Sequence, residues 1–384
     1  MSGADPAVLM VSPQFRPIVG GYERAAERLS VGLAECGCRV DVVTERRDRA
    51  WPRSEAIGGV GVRRIPVLPK PGIHTLTSVL SLAWFLAARG RRYDVWHVHQ
   101  YGVACSVAVF MGRLLRRPVV VKLTNTGDRG LAATVRALFP SALHIALHRC
   151  VDGCLATSQR GAREASDFGI PANRIHAVPN MLDCDRFRPP SEAERASARS
   201  EFGVDDRVVL LFVGRLTAQK SPNVLVDAFA SLVASNPEAL LVVLGDGPLA
   251  TSTRAHAAET LPPGAVRFEG NCEDPLSWYH AADLYVSSSS IEGLSNSLME
   301  ALGCGLPVVC TRVSGSEDLV EDAIGSLVEP GDATALAAAL TKWSRDADRR
   351  EKSRNPARAL AVARFSKESV VASVSRVYRG LRPN

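Results

Sequence analysis

The chain has 384 residues, of which 46% are hydrophobic and 22% charged, which excludes an intrinsically disordered protein and leaves room for two domains of ordinary size. Nine cysteines without a CxxC pair argue against a zinc ribbon and fit free thiols in a reducing cytoplasm. The net charge of +6 is uneven: residues 1–185 carry 24 Lys and Arg against 15 Asp and Glu, and the remainder 22 against 25.

A basic first half suits an anionic acceptor or a membrane surface, and equally an arginine-rich solvated surface. No basic patch interleaved with aromatics argues for nucleic acid. The opening MSGADPAVLMVS lacks the basic-then-apolar pattern of a signal peptide. The apolar run at 79–88 is too short to span a bilayer. A buried helix is its expected state, and a place on a membrane surface is the less favoured one.

Strand and helix signals alternate from the start. Residues 8–12 predict a first strand, a loop covers 13–21, and a helix runs from about Tyr22 to Cys36. Gly20-Gly21 before that helix lets its N-terminus approach a phosphate or sugar, although a simple flexible loop reads as well. Strands are expected at 39–44 and 61–67, a helix at 75–89 and a strand at 94–99. Period-two spacing puts His97 and His99 on one face of that strand, with His99 at the carboxyl end where ligands bind. His97, deeper in the strand, reads as structural. A helix at 103–116, a strand at 118–124, a loop at 125–130, a helix ending near Cys150 and strands at 153–158 and 175–178 complete this half.

The run 187–198 (FRPPSEAERASA) breaks the rhythm, because Pro189-Pro190 continues neither a helix nor a central strand, and the linker is placed there. A second series follows, with strands at 207–213, 240–244 and 266–270 and helices at 223–234 and 249–260. Residues 284–310, LYVSSSSIEGLSNSLMEALGCGLPVVC, add two strands joined by a loop and a helix. Helices at 333–343 and 367–381 close the chain. The expected fold is α/β, two doubly wound domains in tandem that face each other across a cleft.

Open α/β sheets bind ligands outside the carboxyl ends of their strands. In residues 284–310 that position holds Glu292, Gly293, Leu294 and Ser295, the last a candidate N-cap for a helix that carries Glu300. The helix start would hold an anion such as a diphosphate. Carboxylates repel phosphate, so Glu292 and Glu300 are better suited to accept hydrogen bonds from sugar hydroxyls. Taken alone, the stretch also reads as an ordinary βαβ unit with two solvated glutamates. Arg215 and Lys220 follow the strand 207–213 and would clamp a diphosphate, unless they are plain surface charge. Gly245-Asp246-Gly247-Pro248 and Gly270-Asn271 end the next two strands.

These residues carry a resemblance. The chain is similar to retaining glycosyltransferases of the GT-B architecture, in the glycosyltransferase group 1 (GT4) family. The matching motifs are Gly20-Gly21 with Glu23, the run 94–99, Val178-Pro179-Asn180, Gly214-Arg215 with Lys220, and Gly245-Asp246-Gly247-Pro248. Glu292 and Glu300, eight apart, and the run 305–309 complete the set. They span nearly the whole chain in the family's order.

The resemblance implies two Rossmann-like domains: an acceptor-binding domain over 1–185, with the helix at 366–384 packing back on it, and a donor-binding domain over 186–365. It assigns the donor diphosphate to Arg215 and Lys220, the ribose hydroxyls to Glu300, and the sugar hydroxyls near the reacting carbon to Glu292. Backbone N–H groups of Gly293, Leu294 and Ser295 grip sugar and phosphate, Gly20 and Gly21 close over the phosphates, and Gly247 and Asn271 lie toward the nucleotide. No metal and no bound cofactor is implied. Where the family often has a histidine near the transferred sugar this chain has Thr124, which leaves His99 as a weak substitute. Glu23, Thr124 and Asp128 are the candidate acceptor residues.

The donor expected from this likeness is a nucleotide-diphosphate sugar, UDP-linked in the first instance. The acceptor is a small molecule, such as the aminocyclitol of an aminoglycoside antibiotic pathway. Three alternatives stay open: a lipid or cell-envelope acceptor, a nucleotide-sugar 2-epimerase on the same fold, and a sugar-nucleotide-binding protein without catalysis. A dinucleotide dehydrogenase is disfavoured, because no GxGxxG turn follows the first strand.

Overall fold

The computed structural model describes residues 6–18, 20–127 and 130–381. Contacts divide the chain into two compact units, one running to Met181 and rejoined by the chain from Lys367, the other spanning Leu182–Ser366.

The first unit holds eight strands: β1 (Ala7–Val11), β2 (Arg39–Arg46), β3 (Ser54–Ile57), β4 (Val60–Pro66), β5 (Val95–Val98), β6 (Val119–Leu123), β7 (Gly153–Ala156) and β8 (Ile175–Ala177). They lie in the order β3-β4-β2-β1-β5-β6-β7-β8. All pairs are parallel except β3 with β4, a hairpin closed by Gly58-Gly59. Alternation sorts the side chains. Val8 and Met10 enter one apolar cluster with Ala26, Leu29, Val374 and Tyr378. Leu9 and Val11 enter the other with Phe85, Leu86, Trp96 and Val109. Both faces are therefore covered by helices, which is why these strands read as continuous apolar runs.

The helix Lys367–Gly380 belongs to the first cluster, where the Tyr378 hydroxyl meets His97 Nδ1 at 2.5 Å. His97 and His99 do share a face, and their rings stack at 6.0 Å.

The second unit holds β9 (Val208–Val213), β10 (Ala239–Leu244), β11 (Val266–Gly270), β12 (Leu284–Ser287), β13 (Val308–Thr311) and β14 (Gly325–Val328). The order is β11-β10-β9-β12-β13-β14, with every pair parallel. Leu210 and Phe212 enter one apolar cluster, Val209 and Leu211 the other.

Several elements differ from the sequence expectation. The run 187–198 is not all linker: a helix spans Glu192–Phe202, opened by a capping box in which Ser191 and Glu194 satisfy each other's backbone N–H. The polar composition that read as a break is that of a solvated helix face. The expected helix ending near Cys150 is two helices, Leu131–Arg136 and Ser141–Arg149, separated at Pro140. Strands β3 and β14, four residues each, and the charge-rich helix Ala347–Phe365 have no counterpart in the sequence reading.

Candidate functional site

Each sheet reverses its strand order once, β1 being flanked by β2 and β5 in the first unit and β9 by β10 and β12 in the second. Crevices for ligands open beside such switch points, at the carboxyl ends of the strands.

In the second unit that place is occupied by charge. The loop after β9 brings Lys220 and the loop after β12 brings Glu292, and the ammonium and carboxylate form an ion pair. Ser289 Oγ donates to the same carboxylate at 3.3 Å. The serines after β12 lace the two loops together. Ser288 Oγ donates to the carbonyls of Lys220 at 2.8 Å and Ser221 at 3.1 Å, and the Ser290 N–H donates to Gln219 O at 2.8 Å. Ser221 has φ +45°, a left-handed conformation that L-residues adopt rarely. The Ser288 bonds hold it there, and with it the approach of Lys220 to Glu292. Helix Pro222–Ser235 then starts on a proline, whose fixed φ suits the first helical position.

Glu300 lies on the helix Asn296–Gly303 and is buried. Tyr279 donates its hydroxyl to Glu300 at 3.2 Å and lies the same distance from the Ser297 carbonyl. Burial and the Glu300 carboxylate hold the Tyr279 phenol well above its ordinary pKa, so it remains a donor. Ser295 stands at the N-cap position, but its hydroxyl meets Ser297 Oγ at 2.9 Å rather than a backbone N–H of the first turn. The side-chain cap expected from the sequence is therefore not formed. The backbone of Gly293 and Leu294 is braced from behind by Gly315, where a Cβ would lie 2.2 Å from Gly293 O.

A cleft of about 700 Å³ opens along the ends of β9, β10 and β11, lined by Gly214, Arg215, Gly245, Gly247 and Asn271 among others. Gly245, at φ +138°, packs on the Gly214 carbonyl, which a Cβ would meet at 2.0 Å. That contact draws the β9 and β10 loops together. Arg215 is exposed and forms no ion pair among the described residues, so its guanidinium is available to an anion.

The first unit's carboxyl edge is different. Gly20 stands in extended conformation at the N-cap of helix Gly21–Glu35. The Glu23 carboxylate folds back over it, where a Cβ on Gly20 would lie 2.4 Å away. His99 is fully buried, and neither ring nitrogen has a hydrogen-bond partner among the described residues. Burial first, then the Lys122 and His97 charges, hold its pKa well below the usual value, so the ring is neutral. His97 is lowered to about 3 and Lys122 to about 7, both chiefly by burial. The expectation of a ligand-facing His99 thus meets a neutral, interior imidazole that follows the end of β5. Thr124, half-buried, follows the end of β6, with Tyr101 hydrogen-bonded to Asn125 and Thr134 beside it. Asp128 lies outside the described residues.

The structure thus gathers Arg215, Lys220, Gly247, Asn271, Glu292, Gly293, Leu294, Ser295 and Glu300 at one carboxyl edge. Gly20, Gly21, Glu23, His99 and Thr124 fall at the other. Tyr279, Ser288 and Gly315 were not anticipated. The four-serine run that begins at the end of β12 was the available signal for Ser288, while nothing local marks Tyr279 or Gly315.

Two Rossmann-like α/β units, one with a cationic, carboxylate-flanked switch point, are the architecture of the GT-B glycosyltransferases. A family model described as Glycosyl transferases group 1 matches residues 194–360, and one described as Glycosyl transferase 4-like domain matches residues 20–181. D-inositol 3-phosphate glycosyltransferase 2 of Catenulispora acidiphila is 31% identical, with 94% of this chain and 90% of that protein covered. Alpha-D-kanosaminyltransferase of Streptomyces kanamyceticus is 27% identical, with 83% and 89% covered. Among solved structures, Anabaena Alr3699/HepE in complex with UDP matches at TM-score 0.81 and 20% identity, covering 97% of this chain and 100% of that one. WaaG, a glycosyltransferase involved in lipopolysaccharide biosynthesis, matches at TM-score 0.75 and 18% identity, with 97% and 100% covered. The chain belongs to glycosyltransferase group 1, and is a hexosyltransferase that takes its sugar from a nucleotide-sugar donor.

Proposed function

We propose that the enzyme transfers a hexose from a UDP-sugar, with retention of anomeric configuration, to a hydroxyl of a cyclitol or aminocyclitol. The observation that carries this reading is the Lys220–Glu292 pair at the second sheet's switch point, beside the cleft that Arg215 lines. Lys220 and Arg215 take the donor diphosphate, with backbone N–H groups of Gly293, Leu294 and Ser295 on its other side. A diphosphate entering there competes with Glu292 for Lys220, which frees Glu292 to accept hydrogen bonds from the sugar hydroxyls. Glu300, oriented by Tyr279, accepts the ribose hydroxyls. Gly247 and Asn271 lie toward the base.

In the chemical step the glycosidic C–O bond to the diphosphate breaks and an oxocarbenium-like sugar forms. The acceptor oxygen attacks from the same face. Its proton passes to the departing phosphate oxygen, so no protein base is needed. Two side-chain cations and oriented N–H groups stabilise the leaving diphosphate, the role a metal ion would otherwise fill. The acceptor side is assigned to the first unit, with Glu23, Thr124 and Asp128 as contacts. UDP as the nucleotide is supported by the solved neighbour bound to it. A cyclitol-type acceptor is supported by the name of one curated relative, a D-inositol 3-phosphate glycosyltransferase.

The test is product analysis with UDP-, GDP- and ADP-sugars against D-inositol 3-phosphate and an aminocyclitol, reading anomeric configuration by proton NMR. The reading expects turnover with a UDP-sugar and an α-linked product from an α-linked donor. Preference for another nucleotide, an inverted linkage, or C2 epimerisation of the donor without acceptor would each overturn it.

A further inference from the structure

Between Ala56 and Gly127 the chain carries ten Lys and Arg and a single acid, Asp94. Folding places two helices of this stretch, His74–Arg89 and Val103–Leu115, side by side on the first unit. Their inner faces, including Leu82, Phe85, Leu86, Ala108 and Val109, fill the core. Their outer faces are also apolar. Leu76, Leu80 and Trp84, one turn apart, are 58%, 60% and 71% exposed, and on the neighbouring helix Phe110 and Leu114 are 60% and 66% exposed. Single exposed apolar residues are ordinary; five large ones at helical spacing on adjacent helices form a patch that marks an interaction surface.

The charge beside the patch has one sign. Neither helix contains an acid. Arg53, Arg63 and Arg89 line a cavity of about 550 Å³ together with Pro66, Leu80 and Trp84. None of these three arginines forms an ion pair among the described residues, whereas the neighbouring Arg64 is buried against Glu55. A cavity lined by guanidinium groups together with Leu and Trp suits an amphipathic anion: a phosphate with an apolar tail.

We propose that this face docks on an anionic phospholipid bilayer. Leu76, Leu80, Trp84, Phe110 and Leu114 enter the boundary between headgroups and acyl chains, and Arg53, Arg63 and Arg89 hold lipid phosphates. Tryptophan and leucine on one face with arginine at its rim are the side chains that settle at that depth. No helix among the described residues is long and apolar enough to cross a membrane. This assignment does not depend on the acceptor.

The test is flotation of the full chain with phosphatidylcholine vesicles, with and without phosphatidylglycerol, at low and high salt. The proposal expects recovery with the anionic vesicles only, loss of binding at high salt, and a fall of about tenfold or more for both L80S/W84S and R63S/R89S. These positions are at the surface, so the melting temperature and donor turnover in solution stay as in the wild type. Equal recovery with neutral and anionic vesicles, or none with either, would overturn the proposal. So would L80S/W84S floating like the wild type, or dissolving a concentration-dependent dimer in a protein that never floats.

Discussion

The two carboxyl edges share a topology and differ in chemistry. The second unit's edge places opposite charges at its surface and ties the loops that carry them with serine hydroxyls, so Lys220, Glu292 and the Gly293–Ser295 backbone are held in place before any ligand arrives. The first unit's edge rests on a floor of buried His97, His99 and Lys122, with the Glu23 carboxylate folded back over Gly20. The contrast matches a division of labour. A diphosphate is the same in every donor and rewards a preorganised cationic site, whereas acceptors vary and are met by side chains on a plain scaffold.

Substitutions in the second unit are expected to act hardest. Lys220→Ala removes a cation facing the leaving group and should lower kcat about 10³-fold at saturating donor, in the range found for lost transition-state donors. Near-normal turnover would break the comparison at its strongest point. Glu300→Gln weakens the acceptor for the ribose hydroxyls; the donor KM should rise about tenfold to a hundredfold with kcat changed far less, measured by initial rates. Gly315→Ala puts a methyl against the Gly293 carbonyl. The variant should lose about 1–3 kcal/mol of stability by denaturant titration, and its donor affinity should fall because the phosphate-gripping loop shifts.

In the first unit the sharpest prediction concerns Lys122. Burial lowers its ammonium from an ordinary 10.5 to about 7, so between those values the unfolded chain holds a proton that the folded chain has released. The folded state is thus penalised most below about pH 7 and gains stability as pH rises toward 10.5. Lys122→Met should be more stable than wild type near neutrality, and the difference should shrink steadily with rising pH in paired thermal melts. Parallel curves would show that Lys122 is not buried as described.

Much of this was legible in the sequence. The apolar runs of both sheets, the Gly-rich strand ends and the Arg215, Lys220, Glu292 and Glu300 loops lie in local patterns, because a parallel strand buried on both faces and a loop at its carboxyl end announce themselves within ten or so residues. What was missed depends on distant contacts or on polar helices. The helix Glu192–Phe202 looked like linker because its capping box and charges resemble a solvated break. Tyr279 and Gly315 matter only through what they touch, Glu300 and the Gly293 carbonyl. The burial of His99 was not legible either, because burial cannot be read from one strand alone.

The most direct measurement is calorimetric titration of UDP into wild type, Lys220→Ala and Lys122→Met. The account predicts that loss of Lys220 weakens UDP binding by about tenfold or more, while Lys122→Met binds as wild type does. Equal affinity in wild type and Lys220→Ala would contradict the placement of the donor diphosphate at the second sheet's switch point.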